Sequence, residues 1–177
     1  MAESPVTPNT LAIELMEGLQ RTVRTAVDGL NDDQLYQQPS SDTNSVAWLA
    51  WHLSRWKDRF GAMAFVEEQV WVSQGWAEKF GMDAERNGQG DTLEQVAAFH
   101  PDRELLFGYV EAAHEATIER VGRLTPEKLQ EEYPYSPTGA PRKVWQGLTG
   151  TLNDFGQHAG QIAYLRGLIT GYGWRGF

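Results

Sequence analysis

Apolar residues recur at helical spacing in four long stretches of the chain, separated by polar or proline-containing segments. In the first stretch Leu11, Leu15, Leu19, Val23, Ala26 and Leu30 follow at steps of three or four, which predicts an amphipathic helix starting near Thr10. Residues 1–9 hold two prolines and few apolar groups, so they read as a loose arm before a single domain over 10–177. The polar run NDDQLYQQPSSDTNS reads as a loop, and Asn44 or Ser45 is placed to cap a second helix. That helix spans about Val46 to Phe65, with Val46, Leu49, Leu53, Trp56, Phe60 and Met63 at core spacing.

Residues 66–100 lack sustained periodicity and contain the turn signal RNGQGDT. Short helical turns in a mobile crossover, packed as a lid over one end of a bundle, are the expectation, with Asp91 or Thr92 capping a short helix through Phe99. A third helix follows Pro101 from about Asp102 to Gly122, with Leu106, Tyr109, Val110, Ala113, Thr117 and Val121 inward. The three prolines and glycine of YPYSPTGAPRK rule out a continuous helix there and predict a second long crossover over about 131–143. The fourth helix, about Val144 to Thr170, carries Trp145, Leu148, Leu152, Phe155, Ile162, Leu165 and Ile169 as its inward stripe. The pattern predicts an all-α four-helix bundle whose long crossovers permit neighbouring helices to run parallel.

Composition narrows the function. The 177 residues are 41% hydrophobic, enough for one sizeable core. Fifteen Lys and Arg against 24 Asp and Glu leave a formal charge of −9, a field that disfavours nucleic-acid phosphates and anionic membrane surfaces. A small-molecule partner is expected instead. With no cysteine, disulfides and thiolate metal ligands are excluded, and any thiol chemistry needs an external thiol. The N-terminus lacks a basic stretch followed by an apolar run, and no stretch reaches 18 consecutive apolar residues, so a soluble cytoplasmic protein is expected.

Asp154 and His158, four residues apart, project from adjacent turns of one helix face and can present two ligands to one metal ion. Imidazole and carboxylate donors suit zinc, nickel, iron or manganese, and His52 on the second helix is the candidate third ligand. The same spacing is also that of a helical surface pair worth about 0.3–0.5 kcal/mol, and spacing alone does not separate the two. Around His52, Trp48, Trp51 and Trp56 read as core packing or as a hydrophobic pocket wall. Gln161, one turn after His158, reads as a partner that orients a ligand or as a surface glutamine. His114 is a pocket candidate against the commoner reading of an interior histidine, and His100 reads as a polar surface group at a helix start. Arg55, Arg59 and Arg166 read either as attractors of an anionic substrate or as surface ion-pair partners.

The segments NSVAWLAWHLSRW and NDFGQHAGQIAYLRGL resemble the DinB superfamily, including the YfiT-like proteins and the N-terminal domain of mycothiol-dependent maleylpyruvate isomerase. The similarity covers most of residues 10–170 and implies a DinB-like bundle holding one divalent metal. Carried over, it implies His52 as first ligand, Asp154 as the middle one and His158 as the last. Asp154 departs from the His or Glu of the family pattern. It is one methylene shorter than Glu, so it reaches the metal with a small helix shift or through water. The isomerase's additional C-terminal domain has no counterpart here, so isomerase activity is not implied.

The resemblance implies zinc or nickel foremost, with iron or manganese as alternatives, and a thiol S-transferase that uses mycothiol, bacillithiol or a similar thiol with an electrophile. A metal-dependent hydrolase and a non-catalytic ligand-binding or stress-response protein are the rival readings. Apolar residues left on bundle faces also predict a homodimer.

Overall fold

The computed structural model describes residues 6–135 and 138–175. Four long helices form the bundle: α1 (Pro8–Val27), α3 (Val46–Phe65), α7 (Arg103–Gly122) and α9 (Val144–Thr170). Between them lie the short helices α2 (Asp32–Tyr36), α4 (Val70–Ser73), α5 (Trp76–Phe80), α6 (Leu93–Ala97) and α8 (Pro126–Gln130), and strands β1 (Glu132–Pro134) and β2 (Pro141–Lys143). No helix among the described residues is long and apolar enough to cross a membrane.

Of the expected arm, residues 1–5 lie outside the described residues, and Pro8 and Asn9 are already helical. The Thr7 hydroxyl accepts the Thr10 N–H at 3.2 Å, and Pro8 fits the first turn, where its missing N–H would have had no partner. The inward face of α1 is rotated from the expected leucine stripe. Ala12, Met16, Gln20, Val23 and Ala26 are buried, whereas Leu11 and Leu15 are 64% and 50% exposed. Trp145 at the start of α9 is likewise exposed, while Leu148, Phe155, Ile162 and Leu165 pack inward as expected. The inward stripe of α7 is buried throughout.

Each long helix packs chiefly on two others: α3 on α7 and α9, and α1 on the same two. Asn9 donates to the Leu124 carbonyl at 2.5 Å and Arg24 to Glu111 at 2.9 Å, so α1 and α7 are antiparallel. The ring centroids of His52 and His158 are 5.1 Å apart and Phe60 lies against Gly147, so α3 and α9 are antiparallel as well. Arg55 reaches Tyr109 at 3.4 Å and Arg120 lies against Gly61, so α3 and α7 run parallel.

A parallel pair forces the connecting chain to travel back a full helix length. Residues 66–102 therefore run along the α3–α7 face rather than capping one end of the bundle. Buried side chains anchor them. Asp58 accepts the Val70 and Trp71 N–H groups at 3.0 and 2.9 Å, while Arg55 donates to the Ala84 and Arg86 carbonyls, each at 2.9 Å. Arg55 is thus neither a surface ion-pair partner nor a substrate attractor. It is fully buried and holds the crossover in place.

Within the second crossover β1 and β2 pair antiparallel, with no continuous helix. Glu132, Tyr133 and Pro134 pair with Lys143, Arg142 and Pro141. Both prolines are tolerated because each strand of a two-stranded ribbon has a free edge, where a missing N–H costs no ladder bond.

The bundle interior also holds a buried lysine. Lys57 Nζ lies 3.1 Å from Gln20 Oε1 and 4.1 Å from the Phe155 ring centre, with Glu111, Glu17 and Arg24 contributing at longer range. Burial pushes its pKa down to about 7, with Glu111 opposing and Arg24 adding to the effect. Nearby His114 is pushed down to about 4 by burial and by Lys57, against Glu17. An unfolded lysine titrates near 10.5, so between about pH 7 and 10.5 the unfolded chain binds more protons than the folded one. Stability should therefore rise with pH across that window, by an amount on the order of a few kcal/mol. Urea midpoints from pH 7 to 10 test this against Lys57→Met, whose profile should be flatter. Identical slopes would show that Lys57 carries no such linkage.

Candidate metal centre

His52 sits mid-way along α3, a helix buried on nearly all sides. Its ring stacks on Trp48 at 4.5 Å between centroids and meets the edge of Trp56 at 6.4 Å. The Nδ1–H donates to the Asn87 carbonyl at 2.6 Å, which fixes the tautomer and leaves the Nε2 lone pair available.

The turn that brings this carbonyl is tied down on both sides. Asp91 accepts from Trp48 Nε1 at 3.0 Å and pairs with Arg86 at 2.9 Å. Gly88 closes it at φ +88°, and a Cβ there would lie 2.6 Å from His52 Nδ1 and 2.8 Å from the Trp48 ring. Burial lowers the His52 pKa, opposed in part by the Asn87 carbonyl, so the ring favours its neutral, ligating form.

Across from it on α9, His158 Nε2 lies 3.4 Å from Asp154 Oδ1. Its Nδ1–H donates to Gln161 Oε1 at 2.7 Å. Burial pulls His158 down, but the oxygens of Asp154 and Gln161 outweigh it and its pKa is raised. The 3.4 Å separation is long for a hydrogen bond, yet it matches the edge between two ligand atoms about 2.0–2.2 Å from a tetrahedral ion.

The fold thus brings together His52, Asp154, His158, Gln161, Trp48 and Trp56. It does not deliver a closed cage: among the described residues no group of three His, Asp or Glu side chains is arranged to hold a metal ion. His114 stays apart, buried in the interior with Nε2 3.4 Å from Glu17 and its ring against Phe155. His100 packs on Tyr36 at the surface. Arg59 contacts Glu85 at 3.4 Å, and Arg166 lies near Gly29.

The periodicity of the chain does not single out Asn87, Gly88 and the hairpin residues Tyr133, Tyr135 and Arg142. The first two carried a visible signal in the Asn-Gly turn. The last three lie beside the site only because the hairpin folds onto α3 and α9. A cavity of about 210 Å³ opens there, lined by Trp56, Phe60, Tyr133 and Arg142 and reaching Asp154.

An all-helical bundle with parallel neighbours, presenting two histidines and an aspartate from facing helices, defines a bundle-type candidate metalloprotein. The chain belongs to the DinB superfamily, whose sequence pattern matches residues 15–162. Proteins of that superfamily generally bind metal. Among solved structures, a conserved protein from Enterococcus faecalis shares the fold with a TM-score of 0.82 and 23% identity, covering 94% of this chain and 99% of the other. No curated protein matches the chain.

Proposed function

We propose that the protein is a divalent-metal-dependent transferase, in which His52, Asp154 and His158 hold the metal and a low-molecular-weight thiol is joined to an electrophile. The observation that carries this is the 3.4 Å pair of Asp154 and His158 facing the tautomer-fixed ring of His52, at the end of a cavity. The donor set suits zinc or nickel, and iron or manganese next. When bound, such an ion lowers the pKa of a coordinated thiol and holds it as the thiolate.

The residues of the chain prepare for this. Asn87 and Gln161 each take the Nδ1–H of one histidine, which leaves Nε2 as the ligating atom of each, that of His158 lying beside Asp154. Trp48 and Trp56 flank His52 and keep water from that side. Asp154 and His158 are the adaptable half, because both side chains are partly open to solvent. Closing the ligand set requires them to turn toward His52. The absence of cysteine means that the thiol comes as a cosubstrate, mycothiol or bacillithiol being of the right kind.

Metal analysis of protein purified without a histidine tag tests the site. His52→Ala and His158→Ala should each lose stoichiometric metal, and Asp154→Asn should weaken it less. Unchanged metal in both histidine variants would sink the assignment. Cobalt-loaded protein should then change its spectrum on addition of the correct thiol, and turnover should need metal and thiol together. Cleavage of an ester with metal and water alone, with no response to thiols, would make the protein a hydrolase instead.

The proposal includes a homodimer, for which exposed Leu11, Leu15, Tyr164 and Leu168 supply apolar surface. Sedimentation at micromolar concentration should give twice the chain mass, and a monomer there would remove this part.

A further inference from the structure

The cavity beside Asp154 combines aromatic walls with one cationic and one acidic side chain. Trp56, Phe60 and Met63 of α3 face the hairpin tyrosines across it. Gly147 makes the closure possible, since a Cβ there would collide with both the Tyr133 hydroxyl and the Phe60 ring. One helical turn on, Gly150 also lines the cavity, and a Cβ there meets nothing within 4 Å. Asp154 is the acid that lines it. Arg142 also lines it, its guanidinium 3.7 Å from the centre of the Tyr135 ring. That stacking holds a cation on the cavity wall, and no carboxylate among the described residues pairs with it.

A molecule placed here meets aromatic walls, a cation and an acid. The acid turns an anionic group away, and the protein's net charge of −9 repels anions generally, so Arg142 is the point where one can settle. At about 210 Å³ the space lies below the range of about 300–1,000 Å³ usual for drug-sized ligands. The occupant is therefore small.

We propose that this cavity binds a small organic anion with an apolar or aromatic body, its carboxylate or similar group at Arg142 and its opposite end toward Asp154. The assignment of that anion as the electrophile rests on the transferase reading above. The binding itself does not.

The test uses 3-phenylpropionate and its uncharged amide as probes, titrated calorimetrically into the full-length protein with and without one equivalent of zinc. The acid should bind roughly three- to fivefold more tightly than the amide at pH 7 and low salt, the size an exposed ion pair supports. Arg142→Gln should erase that preference while keeping amide binding. Gly150→Leu, whose Cβ meets nothing within 4 Å, should abolish binding of both probes. Equal affinity for acid and amide, no binding of either, or unaltered binding in Gly150→Leu with a native melting curve would each overturn the proposal. A wild-type protein that discriminates the probes but takes up no zinc would keep the cavity assignment and remove the transferase.

Discussion

Asp58→Ala should destabilise the protein by about 3–5 kcal/mol, a large share of the roughly 5–15 kcal/mol that holds a typical domain together. The Asp58 carboxylate is fully buried and is the meeting point of two elements. It pairs with Arg120 at 3.1 Å and approaches Arg55 at 3.9 Å, while accepting the two backbone N–H groups that open α4. Alanine would leave Arg55 without a carboxylate, Arg120 with Glu67 alone, and two N–H donors unmet in a dry interior. Removing one partner of a buried pair is costly because the other charge remains there uncompensated. Urea denaturation gives the number directly, and a loss under about 1 kcal/mol would mean that Asp58 does not anchor the crossover.

Gly88→Ala should reduce metal affinity by about 10- to 100-fold, the usual size for losing a group that orients a ligating histidine. The added methyl would lie 2.6 Å from His52 Nδ1 and 3.0 Å from the Trp51 ring, so either the turn or the imidazole has to move. Either movement breaks the 2.6 Å bond to the Asn87 carbonyl. Gly90→Ala separates this from backbone strain. Gly90 also has a positive φ, +81°, but a Cβ there meets nothing within 4 Å. Competitive chelator titration of both variants should show the loss in Gly88→Ala alone. Equal affinities in the two would show that the turn does not position His52.

The long helices were legible in the sequence because their apolar residues keep the 3.6-residue period over many turns. Helices α3, α7 and α9 begin within a residue of where that period and its caps place them. What misled was residue size. On α1, periodicity favours Leu11 and Leu15, yet the small Ala12 and the flexible Met16 face the core. Two interleaved stripes share the same period, and the choice between them is made by the close approach of α9 and α7, which no local pattern contains. Arg55 failed for a related reason. A charged residue on a predicted helix reads as surface until the crossover that takes up its donors is seen.

The candidate site divides in the same way. Asp154, His158 and Gln161 lie within two turns of one helix, so spacing alone groups them. The Asn87 carbonyl has no side-chain signature, and Arg142 reaches the site only through the β1–β2 pairing, which the prolines of the crossover do not announce.

The parallel course of α3 and α7 has a consequence for how the molecule comes into being. His52 meets Asn87 at a sequence separation of 35 residues, and Asp154 and His158 lie much further along the chain. Such contacts close long loops and are slow to form compared with the helices themselves. During synthesis, α3 and the crossover can present an oriented imidazole well before its partners on α9 have left the ribosome. With the proposed ligand set, metal capture would wait for α9, a late clasp on a bundle whose other three long helices are already made.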